Sequence, residues 1–247
     1  MSKSINLQNV TLLSVSSIKI KDTIKALKKS MKGIQFGEVL FLTDKKPKFL
    51  PRKIKYVHID KITDIEQFNY FMIYELYKYV KTDFILQVHY DGFVVHPELW
   101  QDSFLKYDYL GSPWPIDEGF KDENGNYSRV GNSVGIRSYR LLEFPSKAKI
   151  PFDKTKKNNE DGFICCEYKH LFEQNGMIFA PLEVAKYFGK ELEFEENKDI
   201  ENTFLFHSFR PWNIKYMSFI KRQTYFFKQT HFYEVLKKII KKCLFLK

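Results

Sequence analysis

The side chains best suited to chemistry in this chain are carboxylates and imidazoles placed at the ends of apolar segments. Asp91 closes the apolar run FILQVHYDGF (84–93), directly before Gly92. A carboxylate there can face a divalent cation or a ribose hydroxyl. Mg²⁺ and Mn²⁺ take oxygen ligands and share them with phosphate. His89-Tyr90-Asp91 has the spacing of an aspartate-x-aspartate motif with His in the first place. The same Asp can equally be a turn residue. Glu160-Asp161 opens an expected helix after a polar loop. The pair either caps that helix, where the dipole favours negative charge, or supplies a general base for an acceptor hydroxyl. His207 stands inside TFLFHSF (203–209). It is either a core imidazole satisfied by a hydrogen bond or a metal ligand through a ring nitrogen.

Other residues speak less clearly. His96 precedes Pro97 and reads as a turn residue. Trp114 lies between two prolines and can stack on a sugar or base, or simply plug the fold. Gly131, Asn132 and Gly135 read as a tight turn in which backbone can approach a ligand. Neither a dinucleotide fingerprint nor a P-loop is present, because the glycine spacing and the required Lys are missing. There is no G-x-S-x-G nucleophile elbow. The vicinal Cys165-Cys166 reads as core.

The elements that must position these residues alternate in type. VTLLSVSS (10–17) reads as a strand, 18–31 as a helix, and EVLFLTD (38–44) and KIKYVHID (53–60) as strands. A longer helix spans about 64–80, with a Thr63/Glu66 capping box and a buried stripe of Ile65, Phe68, Met72 and Leu76. FILQVHYDGF then reads as one further strand. This order predicts an α/β fold with a mostly parallel central sheet. Ligands bind beyond the carboxyl ends of such strands. Ser16, Ser17, Asp44 and His89 to Asp91 therefore share one rim. Later, 116–129 reads as a mobile polar loop, VGNSVGIRS (130–138) as a turn leading into a strand, and 179–188 as a short strand and turn.

Composition narrows the class. With 247 residues, 44% hydrophobic and 28% charged, the chain has a real core and is neither disordered nor a disulfide scaffold. Three cysteines form no zinc pattern. No apolar run is long enough to span a bilayer, and the start MSKSIN does not read as a signal peptide. A cytoplasmic setting is expected. The net charge of +10 is uneven: 219–247 holds eight Lys/Arg and one Glu. The near-balanced remainder argues against a nucleic-acid binder. Phe232, Val235, Leu236, Ile239, Ile240, Cys243 and Leu244 make one apolar helical face, with Lys237, Lys238, Lys241 and Lys242 beside it. Such a basic amphipathic tail suits an anionic membrane surface. It equally suits packing on its own domain.

Taken in order, QVHYDGFVVHPELW, FLKYDYLGSPWP, RVGNSVGIRS, NNEDGF, MIFAPLEVAKYFGKE and FLFHSF resemble the DUF5672 family of GT-A-type glycosyltransferase-like proteins over roughly residues 8–210. The resemblance implies a single GT-A-like, Rossmann-like domain; with the basic tail set apart by its charge, the domain is expected over 1–218 and the tail over 219–247. It implies a nucleotide-diphosphate-sugar donor, and the expected acceptor is a hydroxyl of a surface glycan or lipid-linked saccharide. It also implies a divalent cation, Mn²⁺ or Mg²⁺. Residue by residue it makes Asp91 and His207 metal ligands, with His89 where many relatives carry the first Asp. Asn132 falls in a donor-side turn that departs from the family's pattern, and Glu160-Asp161 matches the pair whose Asp is the base of inverting transfer. A non-catalytic nucleotide-sugar-binding protein and a metal-dependent phosphohydrolase are the rival readings.

Overall fold

A computed structural model describes residues 4–152, 159–217, 222–223 and 225–226. The chain divides into two compact units, Met1–Ser208 and Phe209–Lys247. Within the second, Pro211–Tyr216 forms a 3₁₀ turn. The expected tail helix over 232–244 lies outside the described residues. Among those residues no helix is long and apolar enough to cross a membrane.

The first unit opens with β1 (Ile5–Val15), α1 (Ile20–Ser30), β2 (Ile34–Thr43) and β3 (Lys55–His58). Then come α2 (Ile65–Tyr70), β4 (Phe84–Gln87) and β5 (Gly92–Val94). The second half runs through β6 (Tyr109–Pro113), β7 (Val130–Ser138), α3 (Tyr139–Lys147) and α4 (Glu160–Gly162). It ends with α5 (Lys169–Gln174), α6 (Leu182–Phe188), β8 (Gly189–Lys190) and β9 (Leu205–His207). The six-stranded sheet has the order β3-β2-β1-β4-β7-β6. The first four strands in that order are mutually parallel, and β7 runs antiparallel to both β4 and β6. The expected α/β fold with a mostly parallel sheet is present, and one reversed strand makes it mixed.

Central strands buried on both faces explain the apolar runs. Leu12, Leu13, Leu40, Phe41, Leu42, Ile85 and Leu86 are all buried. On one side Leu13, Leu40, Ile85, Met72 and Leu76 join in a core, while Tyr109, Leu141, Phe163, Cys165, Cys166 and Phe172 form another. The vicinal cysteines are therefore core.

Four expectations need correction. FILQVHYDGF is not one strand. It stops at Gln87, reverses in a tight turn where His89 and Gly92 exchange backbone hydrogen bonds, and restarts as β5. Apolar alternation persists through the turn, so the break leaves no mark in hydropathy. The helix over 64–80 is α-helical only to Tyr70, then π-helical over Phe71–Glu75 and 3₁₀ over Leu76–Tyr79. Its cap is Asp64, which accepts from the Gln67 N–H, while Gln67 Oε1 accepts from the Thr63 N–H. The capping box thus sits one residue later than Thr63/Glu66, and Ile65 faces outward at 61% exposure. Third, 130–138 is strand throughout, with no separate turn leading into it. A Cβ on Gly131 would come within 1.9 Å of the Trp114 ring, and one on Gly135 within 2.4 Å of the Leu110 carbonyl. Those glycines serve strand packing, and Trp114 is a buried plug stacked on Phe120. Fourth, most of 179–188 is the helix α6, with Phe179 contributing only a bridge to Tyr109.

Candidate active site

The site is built where the large sheet meets a small one of order β5-β9-β8. In its register Gly92 lies opposite His207, which brings the residue before Gly92, Asp91, beside that imidazole. A Cβ on Gly92 would sit 2.7 Å from His207 Cδ2 and 2.8 Å from Val134 Cγ2, so only glycine allows this approach.

His89, Asp91 and His207 offer ligand atoms that all lie within 4.8 Å of one another. The imidazoles of His89 and His207 meet edge to face at 5.5 Å. His207 Nε2 stands 3.9 Å from Asp91 Oδ1, beyond hydrogen-bond reach. Burial, reinforced by the positive neighbours His207 and Arg137, pushes the His89 pKa down to about 3. Its imidazole is therefore neutral, and its Nε2 meets the Gln87 side-chain amide at 3.1 Å. For His207, burial works against the proton, but the nearby carboxylates of Glu191, Asp91 and Asp161 outweigh it and raise the pKa.

His89 also lines a cavity of about 370 Å³ at the carboxyl ends of β1 and β4. Its wall includes Ser14, Ser17, Ile18, Ile62, Ile65 and Phe68. Ser16 Oγ is engaged in its own turn, donating to the Ile18 carbonyl and accepting from the Ile18 N–H. Ser17 Oγ accepts from the Ile62 N–H at 3.0 Å and ties the β1 rim to the segment before α2. Both serines thus shape the cavity wall. Asp44, expected on the same rim, is not among the residues lining the cavity; its Oδ1 accepts from Thr43 Oγ1.

The adjacent acids Glu160 and Asp161 sit in different surroundings. The side chain of Glu160 is 1% exposed and pairs with the equally buried Arg137 at 3.2 Å. It also accepts from Ser133 Oγ, while its backbone N–H donates to Asn69 Oδ1. Asp161 is partly buried, and its Oδ1 accepts from the Gly162 N–H. Burial and then the charge of Glu160 raise its pKa to about 7, with Arg137 opposing. A carboxylate poised there suits general base work near neutrality.

Asn132, which the sequence places in a donor-side turn, meets Glu191, which had no sequence warning. Asn132 lies in β7 with φ of 88°, a left-handed conformation that Asn tolerates better than most residues. Its Nδ2 donates to Glu191 Oε2 and its Oδ1 accepts from the Val134 N–H. Glu191, just past β8, also faces His207 Nδ1 at 3.4 Å. It stands in KELEFEE, where several carboxylates look alike, so no local signal could have singled it out.

A family described as "Protein of unknown function (DUF5672)" matches residues 52–207, more than half of the chain. The chain belongs to the DUF5672 family. That span starts before β3 and ends at His207, so it contains His89, Asp91, Asn132, Glu160, Asp161 and Glu191. No curated protein matches. Among solved structures, this DUF5672 protein is similar to a glycosyltransferase involved in the glycosylation of the major capsid of PBCV-1. The TM-score is 0.50 at 12% identity, over 87% of this chain and 97% of that one. The apo-form glycosyltransferase GlyE of Streptococcus pneumoniae TIGR4 matches with a TM-score of 0.47 at 10% identity, over 94% of this chain and 63% of that one. At such identities the likeness is one of fold: the protein has a glycosyltransferase-like α/β fold.

Proposed function

We propose that the protein is a glycosyltransferase. It moves a sugar from a nucleotide-diphosphate donor to a hydroxyl of a surface glycan or lipid-linked saccharide, with inversion at the anomeric carbon. The observation that carries this reading is the sharing of His89. That residue belongs both to the apolar cavity at the strand ends and to the His89/Asp91/His207 cluster. A nucleoside needs the first, and a diphosphate leaving group needs the charge that the second can hold.

Two imidazoles and a carboxylate fit a divalent transition metal. Imidazole suits such ions better than Mg²⁺, which favours Mn²⁺ of the two cations expected. When bound, the cation neutralises charge developing on the leaving diphosphate. The chain's own residues do the rest. Ile18, Ile62, Ile65 and Phe68 exclude water from the base and ribose. Asp161 Oδ takes the acceptor hydroxyl's proton as that oxygen attacks. Glu160, held by Arg137 and Ser133, keeps the turn of α4 in place and keeps Asp161 basic. Asn132 faces the donor sugar and holds Glu191 beside the cluster.

The tail over 219–247 is assigned, within this reading, to an anionic membrane surface at the cytoplasmic face. Each nearby lysine is worth about 1 kcal/mol there. Co-sedimentation with anionic vesicles, before and after truncation at Met217, tests that assignment.

The main test is a screen of nucleotide sugars for Mn²⁺-dependent thermal stabilisation, since a ligand that binds only the folded state raises Tm. A hit followed by transfer to an acceptor hydroxyl supports the reading. Donor binding with no transfer and no donor hydrolysis would favour the nucleotide-sugar-binding alternative. Cleavage of simple phosphoesters would favour a phosphohydrolase.

A further inference from the structure

Glu191 occupies a place that a merely structural surface acid would not need. β8 runs parallel to β9 with Lys190 paired to Phe206, so Glu191 comes next to His207 across the ladder. The strand is seated closely: a Cβ on Gly189 would lie 2.6 Å from Ser112 Oγ and 2.8 Å from Leu205 Cδ1. The loop that follows is fastened on itself. Lys190 Nζ donates to the carbonyls of Asn197 and Ile200, each at 3.3 Å, and pairs with Glu193 at 2.8 Å. Asn197 in turn accepts from the Phe194 N–H and donates to the Leu192 carbonyl. Glu191 is therefore presented from a fixed base.

Its two oxygens have different partners. Oε2 accepts from Asn132 Nδ2, whose amide is itself oriented by the Val134 N–H. Oε1 faces His207 Nδ1 at 3.4 Å. The contact is one of charge, outside hydrogen-bond alignment; a carboxylate can only accept, so its charge favours the proton on the nitrogen facing it. In the neutral imidazole the other nitrogen, Nε2, then keeps its lone pair, and Nε2 is the atom on the Asp91 side. Outer carboxylates commonly set the tautomer and basicity of a ligating histidine in this way.

We propose that Glu191, itself held by Asn132, is a positioning residue that locks His207 in its Nδ1–H form and directs Nε2 at the His89/Asp91 cluster. The effect on cation affinity rests on the metal reading above; the effect on the tautomer does not.

The test uses the full chain, ¹⁵N-labelled and metal-free, at the alkaline end of a pH titration, where the His207 ring signals no longer change with pH. Long-range ¹H–¹⁵N correlations, with His207→Ala used for assignment, report the tautomer. We expect Nδ1–H in the parent protein, and an appearance of the Nε2–H form in Glu191→Ala. Titration with Mn²⁺ alone, followed by electron paramagnetic resonance, should show a loss in affinity of about 10–100-fold in Glu191→Ala. The same substitution in a His207→Ala background should have no further effect. Glu191→Gln keeps size but offers one acceptor oxygen, so it should fall between the two and cover the case in which the alanine variant does not fold. His207 already Nε2–H in the parent, or unchanged by loss of Glu191, would overturn the assignment. Equal losses of affinity with and without His207 would also overturn it. If the parent binds no Mn²⁺ but the tautomer responds as expected, the metal reading falls and the Glu191 assignment stands.

Discussion

The apolar cavity and the polar cluster share His89, yet they are assembled in opposite ways. The cavity is made where consecutive βα units end, from Ser14 to Ile18, Ile62 to Phe68, and His89 with Tyr90. Its polar groups are mostly closed off locally, as Ser16 shows by bonding within its own turn. The cluster joins the turn after β4 to the end of β9 and the residue after β8, through pairings remote in sequence. Its acids and imidazoles face one another rather than backbone. The cavity is a product of topology; the cluster depends on a few close approaches. Substitutions in the cluster should therefore act on chemistry and ion binding, and those in the cavity on donor affinity.

The largest effect is expected at the base. Asp161→Asn preserves shape and removes basicity. A positioned general base contributes about 10²–10⁴ in rate, so kcat should fall in that range with donor affinity nearly unchanged. A collapse of donor affinity with kcat preserved would place Asp161 in binding instead. The pH dependence follows from the raised pKa of about 7. Activity in the parent should rise through that region as the carboxylate loses its proton. Facing groups that set the midpoint are Glu160, Arg137, Glu191 and His207. The stability sign runs the other way. The folded state holds a proton on Asp161 that the unfolded chain, at the ordinary 3.8, has already released. Stability from this group is thus lost as pH rises from about 4 to 7. The Tm of Asp161→Asn relative to the parent should be higher at pH 8 than at pH 4. A Tm difference that does not change with pH would remove the ionised, buried Asp161 from the account.

A smaller but sharper effect is expected at Gly92. Gly92→Ala adds one methyl that meets both the His207 ring and Val134. The ring can yield by rotating, so the protein should fold, with a stability loss of about 1–3 kcal/mol, typical of overpacking. Mn²⁺ affinity should fall nonetheless, because the displaced ring is the one the register placed beside Asp91. Unchanged metal affinity in a folded Gly92→Ala protein would show that His207 lies outside the ligand set.

The two regions also differ in how far they could be read from sequence. The rim carrying Ser16, Ser17 and His89 was legible because strand–helix alternation is a local pattern, and ligands collect at strand ends. The resemblance matched Asp91 and His207 to one metal site, but not the backbone that joins them, which depends on the reversal after Gln87. That reversal is hidden because apolar residues continue on both sides of it. Glu191 was invisible for a different reason. Nothing distinguishes it from Glu193, Glu195 or Glu196 until β8 pairs with β9. The roles of Glu160 and Asp161 could not be separated either, since the difference is made by Arg137 and Ser133 arriving from β7. The spacing of Ile65 fits a buried stripe, whereas the cap at Asp64 sets the first turn so that Ile65 faces out.

Ile65 offers the gentlest test of the cavity. It is 61% exposed, so shortening it removes little buried surface from the folded protein and should change Tm by no more than a degree or so. It nevertheless lines the cavity that His89 also lines. A nucleoside seated there would cover apolar atoms that the free protein leaves in water. Each buried methylene is worth about 0.8 kcal/mol. Ile65→Ala removes three carbons, of which a ligand covers only part, so about 1 kcal/mol of donor binding is at stake. That is about a fivefold rise in the donor's Kd. Mn²⁺ binding in the absence of donor should not change, because the alkyl side chain offers no ligand atom to the His89, Asp91 and His207 cluster. Calorimetry with Mn²⁺ alone, then with donor and Mn²⁺ together, separates the two quantities. A donor Kd equal to the parent's would move the nucleoside out of this cavity, whatever the cluster does with the metal.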